Sequence, residues 1–140
     1  MAKKAKAKAR PAIRLPAKPR RLARKTPEAD LQAACVHWFR LQYPQLLMWH
    51  IPNGEKRTKA AGNRLKKMGV LKGVPDLFLA YPTRFYSGLF VEMKIGYTTE
   101  SAEQKSVMML LGNAGYKVET VKTFERFQEV IRGYLGNSYK

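Results

Sequence analysis

The sequence predicts a mixed α/β domain, a small mixed β-sheet flanked by helices, with its elements in the order α-β-α-β-β-α-β-α. Three observations lead there. Apolar residues recur at helical spacing in some stretches and at strand spacing in others. Pro, Gly and Asn separate these stretches at short intervals. The length of 140 residues suffices for one domain with a core and hardly for two.

Charge narrows the function. The formal net charge is +17 with a pI near 10.3, which points first to nucleic acid and second to an anionic membrane surface. No apolar run is long enough to span a bilayer, and no signal-peptide core is visible. A single cysteine, Cys35, excludes an internal disulfide framework and fits a reducing cytoplasm. It sits in an apolar helical pattern and reads as a small core residue.

Residues 1–25 are a low-complexity basic arm with eleven Lys and Arg, three Pro and no acid. Too few large apolar residues are present to offset ordering entropy, so disorder is expected. The arm should bind phosphates without reading sequence. A solubilising tail and a transit peptide are the competing readings, and the lack of serine argues against the second. Residues 26–140 are then the folded domain.

The first helix should open at Thr26-Pro27, with Glu28 and Asp30 in its first turn. Leu31, Cys35 and Trp38 form its inner stripe, and Pro44 forces its end. Glu28 extends that stripe, so it is either a simple first-turn acid or a group reaching a site beneath the helix. Leu46–Ile51 reads as a strand before the turn Pro52-Asn53-Gly54, with His50 a possible substrate contact. Glu55–Met68 reads as a basic helix with Ala61, Leu65 and Met68 inward and Gly69 as its stop. Lys56, Arg57, Lys59, Arg64, Lys66 and Lys67 crowd its other sides. Their single sign, next to the candidate site, favours phosphate contacts over a merely solvated face.

Asp76–Ala80 and Leu89–Ile95 read as an antiparallel strand pair joined by residues 81–88. Tyr81, Phe85 and Tyr86 in that loop read as covers of core edges before base-stacking groups. Ser101–Asn113 is a helix opened by the capping box Ser101-Ala102-Glu103-Gln104, with Gln104, Val107 and Leu111 on one face and Gly112 and Gly115 at its end. Tyr116–Val121 alternates as a strand. Phe124, Phe127, Val130 and Ile131 mark a last amphipathic helix.

The chemistry concentrates around Asp76, Glu92 and Lys94. Glu92 and Lys94 stand two residues apart in an apolar strand and so share a face. Charges there are costly to bury unless paired or bound to metal. Two carboxylates brought together repel, and a divalent cation with oxygen ligands relieves that. Such a site beside a lysine can activate water and stabilise a phosphodiester under attack.

Pro75-Asp76 followed by Glu92-Met93-Lys94 resembles the PD-(D/E)xK nuclease superfamily. The longer series of Glu28, Asn53-Gly54, a basic helix, Lys72-Gly73-Val74-Pro75-Asp76, Glu92-Met93-Lys94 and Gln104-Lys105 resembles the VRR-NUC family over roughly residues 27–122. The resemblance implies a restriction-endonuclease-like core. It implies Mg2+ or Mn2+ held by Asp76, Glu92 and the Met93 backbone carbonyl, with Glu28 joining directly or through water. Lys94 would position or help deprotonate the attacking water, and Gln104 would steady the site. Asn53, Lys56, Arg57, Lys59, Arg64, Lys66, Lys67, Lys72 and Lys105 are the expected DNA contacts. The small stand-alone members imply a homodimer that resolves four-way (Holliday) junctions in bacterial or phage-infected cytoplasm.

Three rivals remain at this point. One is a flap- or duplex-cutting nuclease of the same fold. Another is a catalytically silent nucleic-acid-binding protein in which Asp76, Glu92 and Lys94 form a buried ion network. The third is a ribosome-associated or packaging protein dominated by its arm.

Overall fold

A computed structural model describes residues 26–53 and 57–136. The basic arm, and Lys56 among the expected DNA contacts, lie outside the described residues. The elements are α1 (Pro27–Gln42), β1 (Met48–His50), α2 (Lys59–Lys67), β2 (Leu77–Leu79), β3 (Leu89–Met93), α3 (Ala102–Asn113), β4 (Lys117–Val121) and α4 (Phe124–Leu135). Their order is the expected one. The sheet runs β1-β2-β3-β4, with β1–β2 and β2–β3 antiparallel and β3–β4 parallel. A parallel pair needs a crossover, and α3 supplies it.

Strand alternation divides the sheet into two faces. Leu77, Leu79, Leu89, Val91, Met93 and Val121 are fully buried on one face, against Cys35 and Phe39 of α1 and Phe127, Ile131 and Leu135 of α4. Trp38 ties the two helices together through edge contacts with Phe124 and Phe127. Burial pushes the Cys35 thiol up to about 12, so it stays a neutral core group. The opposite face carries a row of contacting rings, Trp49, Phe78, Phe90 and Tyr116. It also carries Glu92.

Local signals explain most element ends. Thr26 Oγ1 accepts the Ala29 N–H with Pro27 at the first helical position. In α3 both halves of the Ser101–Gln104 capping box are made. That helix runs through Gly112 and stops before Gly115, whose φ of +91° only glycine adopts cheaply.

The basic helix and the strand bounds need correction. The basic helix begins at Lys59 rather than Glu55, because Thr58 caps it by accepting the Ala61 N–H, while Arg57 turns back to donate to the Pro52 carbonyl. Nor does it bury an inner face: Met68 is 69% exposed and no residue of α2 is fully buried. Leu65 is its one large aliphatic side chain, too little to form a stripe. The strands are also shorter than expected: β1 keeps only Met48–His50 and β2 only Leu77–Leu79, and β3 ends at Met93, although the Lys94 N–H still donates to the Val121 carbonyl at 2.9 Å.

Candidate active site

Four elements bring their ends to one cleft of about 270 Å³. The tight turn before β2 delivers Asp76, and β3 delivers Glu92 and then Lys94. The first turn of α1 adds Glu28, and the first turn of α3 adds Gln104. Gly73 makes this convergence possible. Its φ is +91°, and a Cβ there would stand 2.9 Å from the Glu103 backbone, so only glycine lets the α3 N-terminus close on the Asp76 turn.

Most polar groups in the cleft are fixed by a neighbour; Glu28 alone among its acids makes no side-chain hydrogen bond or ion pair with the described residues. Asp76 Oδ2 accepts the Met93 N–H at 2.8 Å, which locks the acid to the strand beside its own. Glu92 is 2% exposed. Its Oε1 accepts from Lys94 Nζ at 2.9 Å and from Gln104 Nε2 at 2.5 Å. Gln104 Oε1 accepts from Lys94 at 3.1 Å and from the Ser101 N–H at 2.9 Å. One carboxamide thus caps α3 and joins the acid to the lysine. Asn53 donates to the Val74 carbonyl at 3.1 Å, steadying the same turn from the β1 side.

The electrostatics are those of acids crowded around one cation. Burial pushes Glu92 up to about 7, helped by Asp76 and Glu28 and opposed by Lys94. Asp76 is raised by burial, against the Met93 hydrogen bond and the fields of His50 and Lys94. Glu28 is raised by burial and by Asp76. Burial alone would lower Lys94, but the Glu92 hydrogen bond and the three acids outweigh it and hold the ammonium above its ordinary value. Four perturbed groups within one cleft, all shifted upward, are the pattern that chemical sites favour.

Carboxylate oxygens and a peptide carbonyl are the donor set of a hard divalent cation, which would also relieve the acid repulsion. Among the described residues no three His, Cys, Asp or Glu side chains stand close enough to cage a metal alone. A cation here would therefore take its remaining ligands from water, as Mg2+ commonly does. A larger cavity of about 520 Å³ lies between α4, β4 and the β2–β3 loop. Of its charged residues, Lys117, Glu119, Arg126 and Glu129 pair with one another, and Arg84 stands over the Phe85 ring. The acid cleft, not the larger volume, gathers the perturbed groups Glu28, Asp76, Glu92 and Lys94.

The expected DNA contacts divide in two. Arg57, Lys59 and Lys66, with Asn53 and Lys72, line a depression of about 380 Å³ adjoining the cleft. Asn53 and Lys72 also line the cleft itself. Arg64 and Lys67 are exposed on α2 without lining it, and Lys105 is exposed on α3. Lys72 pairs with Glu103 at 3.2 Å across open surface, a contact worth little.

Two polar contacts near the site escape sequence reading. Glu100 accepts from the Thr120 hydroxyl, and Lys94 and Lys105 help hold its carboxyl below the usual range after that hydrogen bond. Gln32, one helical turn after Glu28, places its amide nitrogen 2.9 Å from His50 Nδ1, which is also 2.9 Å from the Asp76 carbonyl. The i, i+4 spacing from Glu28 was the available signal for Gln32.

Comparison with known proteins agrees with this architecture. The VRR-NUC domain matches residues 26–125. A solved structure of a VRR-NUC domain protein superposes with a TM-score of 0.64 at 24% identity, over 77% of this chain and 87% of that one. No curated protein matches the sequence.

Proposed function

The chain belongs to the VRR-NUC family, nucleases of the PD-(D/E)xK type, and on that premise we propose that it is a Mg2+- or Mn2+-dependent DNA endonuclease that cuts branched DNA as a homodimer, in the manner of a Holliday-junction resolvase. The observation that carries the catalytic part is the meeting of Asp76, Glu92, Glu28 and Lys94 in one cleft beside a basic depression. The junction preference and the two-fold assembly come from the likeness to small stand-alone family members; paired cuts across a four-way junction need a symmetric enzyme.

In this reading Asp76, Glu92 and the Met93 carbonyl would hold the cation, and Glu28 would join directly or through water. A cation held there would supply polarisation of the scissile phosphate and a water of lowered pKa. Lys94 remains an ammonium, so it orients the nucleophile and faces the charge that develops on phosphorus-bound oxygen, rather than accepting a proton. Gln104 fixes Lys94 and Glu92 before substrate arrives, which removes reorganisation from the reaction. Lys72, Arg57, Lys59 and Lys66 hold flanking phosphates, and Arg64, Lys67 and Lys105 widen that field. No helix among the described residues is long and apolar enough to cross a membrane.

The test is cleavage of labelled four-way junction, flap and linear duplex by the protein and its Asp76→Ala variant, with and without Mg2+ or Mn2+. Metal-dependent paired cuts in the junction that disappear in the variant support the whole reading. Cutting mainly of flap or duplex keeps the nuclease and removes the resolvase. Tight binding without cleavage of any substrate leaves a silent binder and refutes the catalytic assignment.

A further inference from the structure

The acid cleft is the middle of three connected depressions. It shares Asn53 and Lys72 with the basic depression beside α2, and Glu28 and Asp76 with a third depression of about 470 Å³ on the α1 side. A phosphodiester at the acids is a link in a polymer, so its strand must leave the cleft in two directions. One exit is basic. The other has no lysine or arginine among its described lining residues.

That second exit is built differently, with Glu28 and Asp76 only at its border with the cleft. Ala29, Ala33 and Val36 fall on one side of α1 at i, i+4 and i+7 and give it a small, apolar wall. Gln32 and His50 supply its polar edge. His50 Nδ1 lies 2.9 Å from the Asp76 carbonyl and 2.9 Å from the Gln32 amide nitrogen; protonated at Nδ1, the ring donates to that carbonyl, with Gln32 packed beside it. The ring is thus fixed before any ligand arrives, and Nε2 has no hydrogen-bond partner among the described residues. A small apolar wall with a few placed polar groups suits a sugar and base, where a phosphate would want charge. The volume is in the range of small-ligand sites.

We propose that this third depression is a nucleoside subsite, which receives the nucleotide on one side of the scissile phosphate, with His50 and Gln32 as its hydrogen-bonding edge. The inference rests on reading the acid cleft as the nuclease centre. It makes the substrate track asymmetric, with phosphates gripped on the α2 side and one nucleoside seated on the α1 side.

Filling the depression tests this without touching the acids. Ala33→Trp and Ala29→Trp are placed in the wall. Ala34→Trp, one residue along and exposed, lies outside the lining and serves as control. DNA binding is measured in EDTA, cleavage in Mn2+, and melting temperature confirms folding. Both wall variants are expected to weaken binding and raise KM about tenfold or more, with the control unchanged. Substrates carrying one abasic sugar, walked across the cut, add a readout that a structural defect would not move. At a single flanking position the unmodified protein should lose affinity while Ala33→Trp loses nothing further. Normal binding and KM in both wall variants would overturn the subsite, as would an abasic walk with no such position. If the unmodified protein binds but cuts nothing, the nuclease reading fails separately, and the binding comparison still decides the subsite.

Discussion

The acid cleft and the basic helix beside it are neighbours built on opposite principles. In the cleft Asp76, Glu92 and Lys94 are anchored to strand backbone or to a capping side chain, and Glu92 is almost wholly removed from water. On α2 no residue is fully buried, and Arg64, Lys66 and Lys67 extend into solvent. Fixed charges in a low-dielectric cleft act strongly on a reacting group because they need not reorganise. Mobile charges in water act on phosphate weakly and additively, through counterion release. Under the proposed function, the difference would give chemistry to the first region and affinity to the second.

The sharpest way to break the comparison is at Lys94. Lys94→Met should leave DNA affinity within about twofold while lowering the single-turnover cleavage rate by about 10²–10³-fold, the scale of losing one preorganised charge donor. An equal loss of affinity and rate would mean that the cleft is only another part of the binding surface.

The next effect lies in stability. Glu92 sits near 7 when folded, against an ordinary value of 4.5, so the folded state binds its proton more tightly than the unfolded state. The metal-free protein should therefore lose stability as pH rises from about 4.5 to 7, by on the order of 3 kcal/mol from this group. Urea melts across that range check the slope, which Glu92→Gln should flatten. Adding Mg2+ favours the ionised acid and should release a proton.

The basic side gives a smaller change of another kind. Replacing Arg64, Lys66 and Lys67 together by Gln should weaken DNA binding about tenfold and reduce the slope of log affinity against log salt by about 2–3. The cleavage rate at saturating enzyme should stay unchanged. The smallest effect belongs to the start of that helix: Thr58→Ala removes a cap worth about 1 kcal/mol, measured as a lowered urea midpoint.

These regions also differed in how far the sequence could be read. Caps and strand alternation are local, so Thr26-Pro27, the Ser101–Gln104 box and the β2–β3 pair were readable from residues a few positions apart. Asp76, Glu92 and Lys94 stood out because charge inside an apolar strand demands a reason. The double role of Gln104 was readable too, since its capping partner and its inward face were both in view. The start of α2 was not, because Thr58 competes with a run of charged residues that read equally well as helix. Exposure of Met68 depends on what lies opposite it in space. The Gln32–His50–Asp76 contact joins residues far apart in the chain, and only the folded sheet brings α1 over the end of β1.

The most direct measurement runs Asp76→Asn and the triple α2 variant side by side, each assayed for DNA binding in EDTA and for single-turnover cleavage in Mn2+. The account predicts a crossed result: Asp76→Asn binds normally and does not cut, while the triple variant binds weakly and cuts normally once saturated. If Asp76→Asn cuts at the normal rate, or if both variants lose binding and cleavage in proportion, then the acid cleft is not the catalytic centre.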